Sequence, residues 1–298
     1  MRKPALLLVI ALLGIAMFGC TTEKLTPEQR ILLGYQADSA YQAGNYQLAG
    51  DLYSAVVKAG SLNPDNAYNA ACSYALANDR ARMMKMMETA LRLGYHNVEW
   101  FEQDPDFEPI RSLPEWNGFL SRAKQNREEY MKRVNRELYD ICNADQADRQ
   151  LDWSSMPREA FLRIIKRDSL RLARVREIIE EGTLILADDY FHAALVLQHG
   201  LDSSAYRQAN EMARKAVELN PEFPDGRWLV AATKDRWLVS IGQPQIYGTQ
   251  RYFRDGRWTT EPFDTTVISD GERRLVGISP FRDILARVEK LNEKAETE

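Results

Sequence analysis

This sequence predicts a mainly α fold: helical hairpins in the first half, then a helical C-terminal domain with one small β-hairpin. Three observations predict it. Apolar residues recur at three- and four-residue spacing from Thr26 to Gly242. Glycine, Asn-Pro and single prolines divide that stretch into segments of ordinary helix length. The texture changes only after Gly242, where Tyr252-Phe253 and Trp258-Thr259 flank Asp255-Gly256, a short-hairpin signal.

The N-terminus reads MRKPALLLVIALLGIAMFGCTTEK. Arg2 and Lys3 precede an apolar run from Ala5 to Phe18, broken only by Gly14. At ~1.5 Å per residue the run covers roughly 21 Å, short of a ~30 Å hydrocarbon core. A basic start and a short apolar run favour a signal peptide over a permanent span. Gly19-Cys20 at its end resembles the lipobox of bacterial lipoproteins, in which the cysteine is acylated and becomes the mature N-terminus. Met17 and Phe18 depart from the Leu and small residue usual there, and an ordinary signal peptide with a chance cysteine is the alternative. The resemblance implies a leader over 1–19, lipidation at Cys20, an anchor and linker over 20–29, and a protein held in the cell envelope with the membrane as partner. Thr21-Thr22 lacks the aspartate that retains such proteins at the inner membrane of enteric-type bacteria, so the outer membrane is expected.

Charged residues make up 28% of the chain and are mixed in sign. The net charge is −4, and loss of Arg2 and Lys3 takes it to −6. No basic face or aromatic-basic interleaving suggests nucleic acid as a partner. Besides Cys20 there are Cys72 and Cys142, which either pair in an oxidising space or stay as buried free thiols in their apolar-periodic helices.

Residues 30–95 divide into two helix pairs. Ala37, Ala40 and Tyr41 share a face before a turn at Gly44-Asn45-Tyr46, and Ala49, Tyr53, Val56 and Val57 form the returning stripe. Ala67, Ala71 and Tyr74 precede a second turn at Asn78-Asp79, followed by Met83, Met87, Ala90 and Leu91 up to Gly94. This resembles the tetratricopeptide repeat, in which small residues sit where antiparallel helices touch and bulky ones fill the groove between units. Ala37, Ala49, Tyr53 and Val56 occupy the motif positions of the first unit. Ala71, Met83, Met87 and Ala90 occupy those of the second, Met83 being larger than the pattern expects. Trp100, Phe101, Phe107, Ile110, Leu113, Trp116, Phe119 and Leu120 then suit a cap over the last repeat, since an open repeat end would expose its core. The repeat domain with its cap is placed at 30–122.

A charged helix from Ser121 to about Asp140, with Tyr130, Val134, Leu138 and Ile141 on one side, makes 123–142 a linking helix. The C-terminal domain follows over 143–298. Helices are predicted at 158–181, 187–199, 203–219 and 225–241, with ends at Pro157, Gly182, Gly200, Asn220-Pro221 and Gly242. Ser279-Pro280 starts a last helix to about Leu291, as serine suits an N-cap and proline the first helical position.

Four polar patterns stand out in this domain: Asp145-Gln146-Ala147-Asp148-Arg149, Val196-Leu197-Gln198-His199, Asp235-Arg236, and Gln245-Ile246-Tyr247-Gly248-Thr249-Gln250. In this order they resemble a family of uncharacterised bacterial domains marked by D-Q-x-x-R, V-Q-H, D-R and Y-G-T-Q, a resemblance that supplies no activity. The residues themselves suggest a converging site, because Gln198-His199 closes one apolar helix and Asp235-Arg236 interrupts another, and polar groups inside apolar faces need partners. His199, Asp148 and Asp235 are the catalytic candidates, a histidine beside an aspartate being able to move protons near neutral pH. Asp145, Arg149, Gln198, Arg236, Tyr247 and Gln250 are the ligand-binding candidates. The alternative is a buried polar network that pins helices in register.

Asp188, His192 and His199 share a helix face, but no further Cys/His cluster accompanies them, so no metal is expected. Nucleophile-elbow, phosphate-loop and dinucleotide patterns are absent, so no cofactor is expected. Two functions stay open: a membrane-anchored scaffold that binds a protein or peptide through its repeats, or an enzyme or small-ligand binder around His199, Asp148, Arg236 and Gln250. The first follows from the fold by analogy.

Overall fold

The computed structural model describes residues 25–152 and 155–297. Cys20 and the leader lie outside them. The fold is mainly α, with paired helices and one small antiparallel hairpin near the C-terminus. No helix among the described residues is long and apolar enough to cross a membrane.

Helices α1 (Pro27–Gln42), α2 (Tyr46–Lys58), α3 (Pro64–Leu76) and α4 (Arg80–Arg92) pack in sequence order, each on the next. Thr26 opens α1 with a capping box: its hydroxyl accepts from Gln29 N, and the Gln29 amide accepts from Thr26 N. Asn63 and Asp79 cap α3 and α4 through their side chains. Ala37, Ala49, Ala71 and Ala90 are wholly buried at the helix contacts, as are Met83 and Met87. Each buried methionine contributes ~1.5–3 kcal/mol over leaving it in water. Gly50 on α2 leaves room for α3, since a Cβ there would lie 2.6 Å from the Tyr74 ring. The N-terminal region thus forms paired helices consistent with helical repeats.

Helix α5 (Val98–Gln103), a 3-10 turn (Pro105–Ile110) and α6 (Pro114–Met131) cover the end of this stack. Phe101 stacks on Trp116 at 4.6 Å, and Tyr68 of α3 stacks on Tyr95 at 4.1 Å. Buried Asp104 turns the chain and accepts from the Tyr68 hydroxyl at 2.7 Å.

The expected linking helix is in fact broken. Helix α6 ends at Met131 and α7 (Arg136–Arg149) begins after Asn135, whose side chain accepts from Leu138 N at 3.0 Å. An asparagine N-cap competes well with helix continuation. The apolar stripe through Tyr130, Val134 and Leu138 runs across the break, and Val134 stays buried, so periodicity alone does not reveal it.

In the C-terminal half, α7, α8 (Arg158–Glu180), α9 (Ala187–Leu197) and α10 (Ser203–Leu219) close around Leu138, Val175, Ile178, Leu197 and Ala209. Helix α11 (Pro224–Ser240) joins through Ala194, Ala213 and Leu229. Strands β1 (Tyr252–Arg254) and β2 (Arg257–Thr259) form the expected antiparallel hairpin around Asp255-Gly256, with Phe253 opposite Trp258. A short helix, α12 (Asp270–Leu275), was not anticipated. It rests on a Ser269–Glu272 capping box and is too short to show periodicity. Helix α13 (Phe281–Thr297) runs beyond the expected end near Leu291. Cys72 and Cys142 are free and buried in separate cores.

Candidate functional site

Helix α7 carries Asp145, which is completely buried. Its Oδ1 accepts from Arg149 Nη2 at 3.0 Å. Its Oδ2 accepts from Gln146 Nε2 at 2.9 Å and contacts His199 Nδ1, just past the end of α9, at 2.9 Å. Burial pushes the Asp145 carboxyl up, but the His199 and Arg149 contacts outweigh it and hold the group below its ordinary range. Arg149 also reaches Asp168 of α8 at 2.7 Å. Asp168 pairs in turn with Arg171 at 3.2 Å, and Arg171 with Asp148 at 2.7 Å. Asp148 further takes two bonds from Arg167, at 3.0 and 2.7 Å. Arg167 and Arg171 hold its carboxyl below the usual range.

A second chain of contacts starts one residue away. Arg236 of α11 donates to Gln198 O at 2.6 Å and approaches Gln250 Oε1 at 3.4 Å. Burial lowers its basicity, and no carboxylate neighbour offsets that. Asp145, Arg149, Gln198, His199, Arg236 and Gln250 are therefore linked in space. Three of the sequence candidates are placed otherwise. Asp148 pairs with Arg167 and Arg171 of α8 and reaches Asp145 only through Arg171, Asp168 and Arg149. Asp235 is fully buried and spent on the backbone: it accepts from Ile246 N (2.8 Å), Tyr247 N (2.9 Å), Thr249 N (2.9 Å) and the Thr249 hydroxyl (2.8 Å). Tyr247 packs against the cluster of Ala231, Ile278 and Ile284. Gly248 has φ +84, and a Cβ there would meet the Phe263 ring at 2.8 Å, so the loop needs glycine.

The Q-x-Y-G-T-Q loop is held from inside by Gln245, which is wholly buried. Its carbonyl oxygen accepts from Gln250 N at 2.9 Å, and its amide donates to Gln250 O at 2.9 Å and to Thr260 O. Sequence reasoning placed Gln245 in the motif but gave it no role. It also missed Asp168, Arg167 and Arg171, which look like the solvated face of a charged helix.

His199 lines a cleft of about 200 Å³ along α8, with Ile165, Leu172, Ala173 and Leu201 as apolar walls. Among the described residues Nε2 of His199 has no hydrogen-bond partner, while Nδ1 is fixed on Asp145. Cys142, one turn before Asp145, is no nucleophile: burial and the Asp145 charge push its thiol up to about 12. His192 packs edge-on to Tyr139 at 5.5 Å, and burial lowers its basicity.

A second constellation joins the two halves. Glu222, in the turn before α11, is buried against the paired helices of the N-terminal half. Its carboxylate takes Arg30 Nε at 2.7 Å, the Ser61 hydroxyl at 2.5 Å and Asn66 Nδ2 at 3.4 Å, and Asn63 Nδ2 donates to its backbone oxygen at 3.3 Å. A groove of about 90 Å³ continues from it along Tyr35, Asn69 and Arg227. Cys72, Asp104 and Asp106 also cluster, but Tyr68 and Tyr41 already donate to the two carboxylates, at 2.7 and 2.6 Å.

These features define a class: a capped stack of helix pairs joined to a helical domain organised by buried Asp–His and Asp–Arg contacts. A family model matches residues 132–294, more than half of the chain, and the chain belongs to that family, a family of unknown function (DUF6624). No curated protein and no solved structure matches the chain.

Proposed function

We propose that this chain is a membrane-anchored extracytoplasmic lipoprotein, held by lipid on Cys20, whose tetratricopeptide-like repeats act as a protein- or peptide-docking scaffold. One observation carries the docking reading: Arg30, Ser61, Asn63 and Asn66 converge on a single carboxylate and its backbone, delivered from more than 150 residues away. Charge-assisted bonds of this kind are about twice as strong as neutral ones. Three side chains on one carboxylate, with a fourth reading its backbone oxygen, constitute recognition of a glutamate presented on a tight turn. In this chain the occupant is its own loop, Asn220-Pro221-Glu222-Phe223-Pro224, so the repeats hold the family domain in place. The lipid and short linker set that assembly at the membrane surface, where several acyl chains make a stable anchor.

The test uses the full chain with Glu222→Ala and a labelled peptide of residues 218–226. Saturable binding to the variant, lost again when Arg30→Met is added, is the expected outcome. A peptide that binds wild type and variant equally, or neither at millimolar concentration, contradicts the docking reading.

A further inference from the structure

Asp145 and His199 lie in the family domain, and neither lines the groove that takes Glu222. Asp145 is completely buried, and its two oxygens are fixed by Arg149, Gln146 and His199. A buried carboxylate on Nδ1 selects the tautomer with hydrogen on that nitrogen and leaves Nε2 as an acceptor. The His199 side chain is 19% exposed and borders the cleft along α8. An oriented imidazole, an unpartnered Nε2 and a cleft beside it are the elements of a general-base site.

The cleft also restricts the ligand. Its charged groups are already engaged. Asp168 pairs with Arg149 and Arg171. Arg176 donates to Gln208 at 3.2 Å and to Ser204 at 3.4 Å, with Asp202 at 3.8 Å. Asp202 caps α10 through Ala205 N. Among the described residues lining the cleft, every charged side chain thus has a protein partner, which favours an uncharged ligand. The walls are Ile165, Leu172, Ala173 and Leu201, the last 76% exposed at the rim. The volume lies below the roughly 300–1,000 Å³ of sites for drug-sized molecules. Ser169 faces the cleft, but its hydroxyl donates to Ile165 O at 3.0 Å and is not set against the histidine.

We propose that His199, positioned by Asp145, is the general base of a hydrolytic site for small uncharged carboxylic esters. Nε2 takes a proton from a water as the water oxygen bonds to the acyl carbon. The ester C–O bond then breaks, and the proton on Nε2 passes to the departing alkoxide. Ester and water become acid and alcohol, and the imidazole returns to its starting state. The imidazolium formed on the way is balanced by Asp145, whose own charge is shared with Arg149. His199 is the catalytic residue and Asp145 a positioning residue.

The probe is p-nitrophenyl acetate, compact and uncharged, followed as p-nitrophenolate release by the full chain from pH 6 to 9. His199→Gln is expected to lower the rate at least ~10-fold, within the 10²–10⁴-fold range of general-base catalysis. His96→Gln, in the repeat module, leaves it unchanged. Ala173→Trp, at an exposed position in the cleft wall, lowers it at least ~10-fold while the Asp145–His199 pair stays intact. Asp145→Asn removes the anion that favours the imidazolium and leaves Arg149 and Arg236 as the nearby cations, with Asp168, Arg176 and Asp202 across the cleft. The kcat of the folded variant therefore falls while KM for the ester stays within about 2-fold. A purely structural pair would leave kcat unmoved. Wild-type rates in either His199→Gln or Ala173→Trp overturn the proposal, and if His199→Gln does not fold, Ala173→Trp alone decides.

Discussion

Replacing Asp235 with alanine removes the group that holds the Q-x-Y-G-T-Q loop on α11. Three amides and one hydroxyl converge on this carboxylate at 2.8–2.9 Å, and it has no exposed surface. Hydrogen bonds to a charged acceptor contribute ~1.5–3 kcal/mol each, and an amide left unsatisfied inside the protein costs about 1–3 kcal/mol. Ile246, Tyr247 and Thr249 are half-buried, so water restores part of the loss. Arg273 still holds Ile246 O at 3.1 Å. The net destabilisation expected is ~3–5 kcal/mol. At about 2–4 °C per kcal/mol for a domain of 150–250 residues, the melting temperature falls by roughly 6–20 °C. Asp235→Asn keeps one acceptor oxygen and should lose about half as much. The assay is thermal and urea unfolding of both variants by circular dichroism. A change below ~1 kcal/mol in Asp235→Ala refutes the assignment of Asp235 as the loop anchor.

Ala71→Trp places an indole where no exposed surface remains, so overpacking should cost ~1–3 kcal/mol or more in urea unfolding, and an unmoved midpoint speaks against close helix contact there. The Asp148 carboxyl is held below its unfolded range, so its contribution is fully present above about pH 4 and lost as pH falls through the depressed folded value. Asp148→Asn should therefore flatten the loss of stability on acidification below pH 4, and an unchanged acid limb contradicts the Arg167–Asp148–Arg171 account. Cys20→Ala should shift the protein from membrane to soluble fractions or leave an unprocessed precursor, whereas unchanged partition and mass argue against lipidation.

The helical layout was legible because it is written in local periodicity. Ala37, Ala49, Ala71 and Ala90 stand on the predicted apolar helix faces and are buried there, and Asp255-Gly256 makes the turn between β1 and β2. The break at Asn135 was not legible, since the stripe that buries Val134 and Leu138 continues across it. At the candidate site the motifs brought Asp145, His199, Arg236 and Gln250 to attention, because polar residues interrupting apolar faces are visible in one dimension. Their partners were not. Nothing local separates Asp235, which the Tyr247–Thr249 backbone consumes, from Asp145, which meets a histidine. Glu222 in an Asn-Pro-Glu-Phe-Pro turn reads as a solvated loop residue until the N-terminal helix pairs are placed against it. Long-range pairing, at sequence separations of 54 for Asp145–His199 and 192 for Arg30–Glu222, is what a single sequence hides.

The account turns on whether the N-terminal helix pairs recognise the Glu222 carboxylate, and a double-mutant cycle on Arg30→Met and Glu222→Gln measures that contact directly. The pair is 2.7 Å apart, with side-chain exposures of 15% and 10%. Close, desolvated ion pairs couple by about 1.5–7 kcal/mol at tight interfaces, and here Ser61 and Asn66 share the carboxylate. Urea unfolding of the wild type, the two single variants and the double variant should give a coupling of at least ~1.5 kcal/mol. Strictly additive losses, within about 0.3–0.5 kcal/mol, would contradict the claim that this groove reads a glutamate presented on a tight turn.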